Sequence, residues 1–294
     1  MSQNIFQQAC LVQLSTSCWQ GSKALEPAIL ESRFKGKESE WLSGRKFLVN
    51  PESLGPIKAV VARARTFLER SALPFPVKSL TLVPKETLTR IDEGLQEIKD
   101  EFLSEVSEFV AGYEDERMVA ETSLGNLFCE TDYPIDVRSK FRFEWRFLAL
   151  DIPGKSTILP AEVYEREKEK FQAMMEETRE MAMTALREEF ASIVSHMTER
   201  LSGEEDGKPK RFKSSMVQKM HDFLDSFEDR NLFNDESLAQ LVGQARTIVS
   251  DLSAETLREN QKLRNRISSQ MGKLVQAIDK TMEDLPRRKI RLAA

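Results

Sequence analysis

The chain has 294 residues, room for one large or two ordinary domains with a real core. Its 40% hydrophobic and 31% charged residues, with only 12 glycines, are the composition of a helix-rich protein. Forty-three basic against 48 acidic residues give a net charge of −5, which excludes a chain-wide polyanion-binding surface and confines any nucleic-acid contact to local basic patches.

No run of roughly 18 apolar residues occurs and the N-terminus lacks a basic-then-apolar leader, so a soluble cytoplasmic protein with no membrane partner is expected. Cys10, Cys18 and Cys129 are odd in number and lack C-x-x-C spacing, which predicts reduced thiols rather than a disulfide or zinc framework.

In chain order, Ala9 to Trp19 alternates Cys10, Val12, Leu14, Thr16 and Cys18 with Gln13, Ser15 and Ser17, a half-buried strand. Arg45 to Val49 is a short strand candidate. Asn50-Pro51-Glu52 then reads as a helix start, with Asn50 as cap and Pro51 in the first turn. That helix carries Leu54, Ile57, Val60, Val61, Ala64, Phe67 and Leu68 on one face, until Leu73-Pro74-Phe75-Pro76 breaks it. Ser79 to Val83 is a further strand candidate.

Glu86 to Arg117 is the strongest pattern. Leu88, Ile91, Leu95, Ile98, Phe102, Val106, Phe109 and Tyr113 recur at alternating three- and four-residue steps, the seam of a helical hairpin or coiled coil. A bend is expected near Gly112, with apolar spacing resuming through Met118, Leu124, Leu127 and Phe128. Phe141 to Leu150 alternates strictly, Phe141, Phe143, Trp145 and Phe147 against Arg142, Glu144 and Arg146, so one face should be buried. Two more rods follow, Ala161 to Leu201 and Asp235 to Leu285, separated by a polar linker at 202–210 and a short helix at Ser214–Phe227. The second rod turns polar around Glu259 to Lys262, which suggests a skip in register.

The chemistry-bearing residues are sparse. Gly154-Lys155-Ser156-Thr157 follows a strand, but a phosphate-binding loop needs glycine where Ala149 stands and a helix where Ile158-Leu159-Pro160 intervenes, so it reads as a turn. His196 and His221 lie on different helices with no ligand spacing around them. Glu176, Glu177, Glu180, Glu188 and Glu189 read as solvated faces paired with Arg179 and Arg187. Met174, Met175, Met181, Met183 and Met197 fit a helix–helix core, with an adaptable binding face as the other use. No catalytic, cofactor or metal residue is assigned.

Two basic clusters remain as nucleic-acid candidates: Lys208, Lys210, Arg211 and Lys213 in the linker, and Arg287, Arg288, Lys289 and Arg291 in the tail.

The strand ending in Trp19-Gln20-Gly21, then Arg45-Lys46-Phe47-Leu48-Val49, Ala62-Arg63-Ala64-Arg65, Leu73-Pro74-Phe75-Pro76 and Leu82-Val83-Pro84-Lys85 resemble an uncharacterised family of phage and integrative-element proteins carrying a domain of unknown function. The resemblance covers about residues 5–200. It implies a mobile-element setting beside MoxR-type AAA+ ATPases and CobT-like von Willebrand A proteins, and it carries no activity onto any residue.

The expected fold is mainly α (α+β): an elongated antiparallel helical bundle with a small sheet from the N-terminal half. The expected division is 1–158, with the first rod, and 159–294, with two further long helices and the basic tail. The expected function is a non-enzymatic scaffold or adaptor that binds protein partners, an AAA+ ATPase or copies of itself. The alternative is a DNA- or RNA-binding accessory using the two basic clusters.

Overall fold

The computed structural model describes residues 8–26, 29, 43–149, 160–202, 204–205, 208–209, 214–250, 252 and 254–283. The fold is mainly α with a small β part. In order it runs β1 (Ala9–Ser17), β2 (Ser22–Ala24), β3 (Arg45–Phe47), α1 (Gly55–Ser71), β4 (Leu73–Pro74), β5 (Leu80–Pro84), α2 (Leu88–Leu124) and β6 (Arg142–Leu148). The C-terminal half carries α3 (Ala161–Ser202), β7 (Glu204–Glu205), β8 (Lys208–Pro209), α4 (Ser214–Arg230), α5 (Glu236–Val249), α6 (Ala254–Glu259) and α7 (Gln261–Glu283). No helix among the described residues is long and apolar enough to cross a membrane.

The strands assort differently from the simplest expectation of one sheet. β4, β5, β1 and β6 form a four-stranded sheet in that order, whereas β3 pairs antiparallel with β2, Lys46 opposite Lys23. Within β1, Ala9, Leu11 and Val12 are buried and Leu14, Ser15 and Thr16 are all half-buried, so the strand is covered on both faces and does not keep the alternation expected of it. Gly21, at φ +61°, makes the turn after β1. A Cβ there would stand 2.7 Å from Leu54 Cδ1 and 2.9 Å from Val49 Cγ2, so neither the backbone nor the space admits a side chain.

The chain divides into two compact units. Unit 2 comprises Val12–Arg70 and Leu88–Leu148. Asn50 begins its helical entry as expected: the Asn50 side chain accepts from the Glu52 amide at 3.1 Å, and Pro51 opens a 3-10 turn that leads into α1. α2 runs unbroken for 37 residues through Gly112. Its buried stripe is Ile91, Leu95, Ile98, Phe102, Val106, Phe109 and Tyr113, with Ala120 two turns farther on. Rings from the strands and the segment after β1 fill this seam. Phe102 meets Phe143 at 5.5 Å between centroids, and Phe109 meets Phe141 at 5.7 Å. Trp19 lies edge-on to Tyr113 at 5.8 Å. Such pairs add roughly 0.5–1.5 kcal/mol each beyond the area they bury.

Unit 1 comprises Met1–Leu11, Ser71–Thr87 and Ala149–Ala294. Its core is made by α3 and α7, flanked by α4 and α5, with Leu73, Phe75 and Leu82 from the β4–β5 hairpin. Arg187 on α3 reaches the Thr281 carbonyl on α7, while Thr198 lies beside Gly272, so the two helices run antiparallel. Ala182, Leu186, Phe190, Val194, Met197 and Leu201 face Ile267, Met271, Leu274 and Ile278, both stripes in steps of three and four. The stretch 235–285, read from sequence as one rod, is three helices: α5, α6 and α7. The polar Glu259–Lys262 patch coincides with the α6–α7 junction, where Asn260 accepts from the Leu263 amide at 3.0 Å and starts a new helix.

Candidate interaction surface

Polar groups that sequence alone would place on the surface are consumed by the core of unit 1. Arg187 is only 6% exposed, so it is not a solvated partner of the neighbouring glutamates. Its guanidinium grips Asp235 in a fork, Nε to Oδ2 at 2.6 Å and Nη2 to Oδ1 at 2.9 Å, and donates to the Thr281 carbonyl at 2.7 Å. Asp235 is also the cap of α5, accepting from the Leu238 amide at 3.1 Å. One ion pair thus pins α3 to the start of α5 and the end of α7. Burial pushes the Asp235 carboxyl up, but the Arg187 guanidinium, the Leu238 amide and the Ser237 hydroxyl outweigh it and hold the group below the ordinary carboxylate range. Glu189, read as solvated, instead accepts from Arg230 at 2.6 Å, and that guanidinium lies over the Phe223 ring. Arg179 does pair with Glu176, at 3.5 Å on the exposed face.

Unit 2 builds its polar contacts around the segment that follows α2. Asp132 receives Lys23 and Lys46, the latter at 2.6 Å, and Lys46 also donates to the Leu127 carbonyl at 2.6 Å. Burial would raise the Asp132 carboxyl, yet the two lysines hold it below its ordinary value. Arg117 bonds Glu130 at 2.5 Å and lies over Tyr133, and the Tyr113 hydroxyl donates to the Pro134 carbonyl at 3.4 Å. Burial, helped by the Glu114 charge, pushes Tyr113 up to about 12. These contacts lay the segment back along α2.

What this scaffold leaves outside is apolar. Phe47, Leu103, Met118, Val119, Ile135, Phe147 and Leu148 are exposed, all in unit 2, and Ile135 is fully so. Met118, expected to continue the seam, is 58% exposed because the stripe has rotated past it by that turn. Met118 and Val119 sit on α2 ahead of the segment that presents Ile135. Burial raises the Cys10 and Cys18 thiols, for Cys18 against Lys58 and Arg65, so neither is an activated thiolate.

Among the sequence-proposed contact residues, only Lys208 has a described backbone. It lies in β8, opposite Glu205 of β7. Lys210, Arg211, Lys213, Arg287, Arg288, Lys289 and Arg291 lie outside the described residues, as does the Gly154–Thr157 turn. Among the described residues no group of three or more His, Cys, Asp or Glu is arranged to hold a metal. His196 is an exposed helix-face residue and His221 is half-buried. The exposed apolar set has only a weak sequence signal: Ile135 sits between Pro134 and Asp136, outside any helical or strand period.

No curated protein and no solved structure matches the chain. The family model described as a protein of unknown function, DUF3150, matches residues 6–250, and the chain belongs to that family.

Proposed function

We propose that the protein is a non-enzymatic scaffold that binds other proteins through unit 2. The observation that carries this reading is the set of large apolar side chains left exposed on unit 2, above all Met118 and Val119 on α2 and Ile135 in the segment after it. Contiguous exposed apolar area marks contact surfaces, and Met118 and Val119 are neighbours on α2. The polar pairs around them already have partners, so the surface offers shape and apolar area rather than reactive groups. The family resemblance supports a finer setting, in which the partner belongs to a MoxR-type AAA+ remodelling system of a mobile element.

The test is affinity purification of the full chain from its native host after nuclease treatment, beside the variant Met118→Glu/Ile135→Lys. These substitutions are at exposed sites and should alter folding stability by no more than about 0.5 kcal/mol each. A partner retained by the wild type and lost by the variant is the expected result. Capture that survives the substitutions, or that disappears with nuclease, would overturn the reading; the latter outcome points to the basic linker and tail.

A further inference from the structure

The order of the main sheet puts β6 at one edge, with no described strand beyond it. The opposite edge is β4, only two residues long and packed under α3. β6 has seven residues, RFEWRFL, with no lysine or proline, and its three charged residues all lie on one face. A regular strand of that length presents an edge of about 20–24 Å of unpaired backbone donors and acceptors.

Its two faces are distinct. Phe143 is buried against Phe102, and the Trp145 indole donates to Asp92 on α2 at 2.8 Å with the Lys99 ammonium over its ring. Phe147 shares that face and is 37% exposed. Arg142, Glu144, Arg146 and Leu148 form the other, exposed face.

We propose that β6 pairs antiparallel with β6 of a second copy of this chain, about a two-fold axis at Trp145. In that register Glu144 faces Arg146 of the other copy, twice by symmetry, and Phe143 faces Phe147. Moving the axis to Glu144 sets Arg142 against Arg146 and Glu144 against itself. An axis at Arg146 sets Arg146 against itself. A one-residue slip opposes the aromatic face to the charged one. An axis at Phe143 also opposes unlike charges, Arg142 against Glu144, but only the Trp145 axis pairs all seven residues of β6, with Arg142 against Leu148 at the ends. The strand is its own complement, which is what an isologous interface requires. This goes beyond the scaffold reading, and partner capture through Met118 and Ile135 does not depend on it.

The experiment is sedimentation velocity on the full chain over a concentration series, with Glu144→Arg, Arg146→Glu, the double swap E144R/R146E and an equimolar mixture of the two single variants. Each single variant turns two attractive pairs into two repulsive ones. Self-association should weaken at least roughly tenfold. The double swap and the mixture both restore opposite charges and should dimerise like the wild type. Hydrogen exchange on the wild type supplies a second readout that needs no variant: amides of 142–148 should gain protection as concentration rises. A wild type that stays monomeric, or that dimerises regardless of these charges and without protection at 142–148, would overturn the proposal. A single variant that fails to fold leaves the double swap and the exchange measurement to decide it.

Discussion

Unit 1 buries several charged and polar residues whole, whereas unit 2 leaves more large apolar side chains outside. Among the described residues, Ser71, Thr87, Thr178, Arg187, Arg230 and Asp235 are buried in unit 1, while unit 2 sinks the Asp132 carboxylate between Lys23 and Lys46; of the exposed large hydrophobics described, only Val77 lies in unit 1. The difference follows from how each core is assembled. In unit 1 the ends of α5 and α7 converge on the middle of α3, and helix ends bring orphan amides and carbonyls that an arginine–aspartate fork can satisfy. In unit 2 rings from the strands and from the segment after β1 fill the seam of one continuous helix, and a single carboxylate of that helix, Glu116, accepts from the Asn50 amide and the Ser53 hydroxyl where the chain enters α1. Buried polar groups specify one arrangement of helices; exposed apolar groups invite a partner.

The largest effect should come from breaking the polar junction. Arg187→Met leaves Asp235 buried with only the Leu238 amide and the Ser237 hydroxyl, and losing one partner of a buried pair costs about 3–5 kcal/mol. Urea unfolding followed by far-UV circular dichroism at pH 7 measures it. Acid should act on the same pair. The folded Asp235 is held below its ordinary value, so its contribution is complete above the unfolded value near pH 4 and is lost as pH falls through the depressed folded one. The variant should therefore lose less additional stability in acid than the wild type does. Equal stability of the two proteins at pH 7 would mean that the junction is not what holds these helices.

The middle effect probes the seam of unit 2. At Gly94 on α2 an added Cβ would stand 2.9 Å from Phe67 Cε1 and nearer still to Cζ, so Gly94→Ala must displace the ring that α1 lays over it. Overpacking costs about 1–3 kcal/mol against a helix-propensity gain of about 1, a net loss on the order of 1 kcal/mol. Trp19 and Trp145 belong to unit 2 and sit against α2, so tryptophan fluorescence during urea unfolding reads the effect there. Adding Phe67→Leu should recover most of the loss.

These contrasts mark what local pattern can and cannot carry. The α2 stripe, the Asn50 cap and the β6 alternation depend on neighbours within a turn or a strand pair, and all three are legible. The burial of Arg187 is not, because Asp235 lies 48 positions away and no local period distinguishes Arg187 from Arg179, two turns earlier on the same helix. β2 was invisible because three residues with one lysine carry no alternation; its pairing with β3 is held by the Leu48 amide donating to the Gly21 carbonyl at 2.8 Å. The stripe in 235–285 did signal its break, through polar residues at seam positions, but not that Asn260 would cap a new helix. The exposed Met118 and Ile135 required knowing where the seam ends. The eight basic residues proposed for nucleic acid rest on charge alone, and apart from the Lys208 backbone they lie outside the described residues.

The smallest effect completes the comparison with the same substitution in the other unit. Arg63 on α1 pairs with Glu101 on α2, as Arg187 pairs with Asp235, but its side chain is 50% exposed and its partner's 42%. Water replaces either partner at little cost there, and the long side chains give up rotamer freedom to meet, so Arg63→Met should alter stability by less than about 0.5 kcal/mol. Added salt should shrink even that, while leaving the Arg187→Met loss nearly intact, because screening acts on exposed charges and hardly on buried ones. Tryptophan-detected unfolding of Arg63→Met at low and high salt measures the difference. A loss near that of Arg187→Met would mean that unit 2 depends on this exposed pair as unit 1 does on its buried one, and the distinction between exposed and buried pairs would not stand.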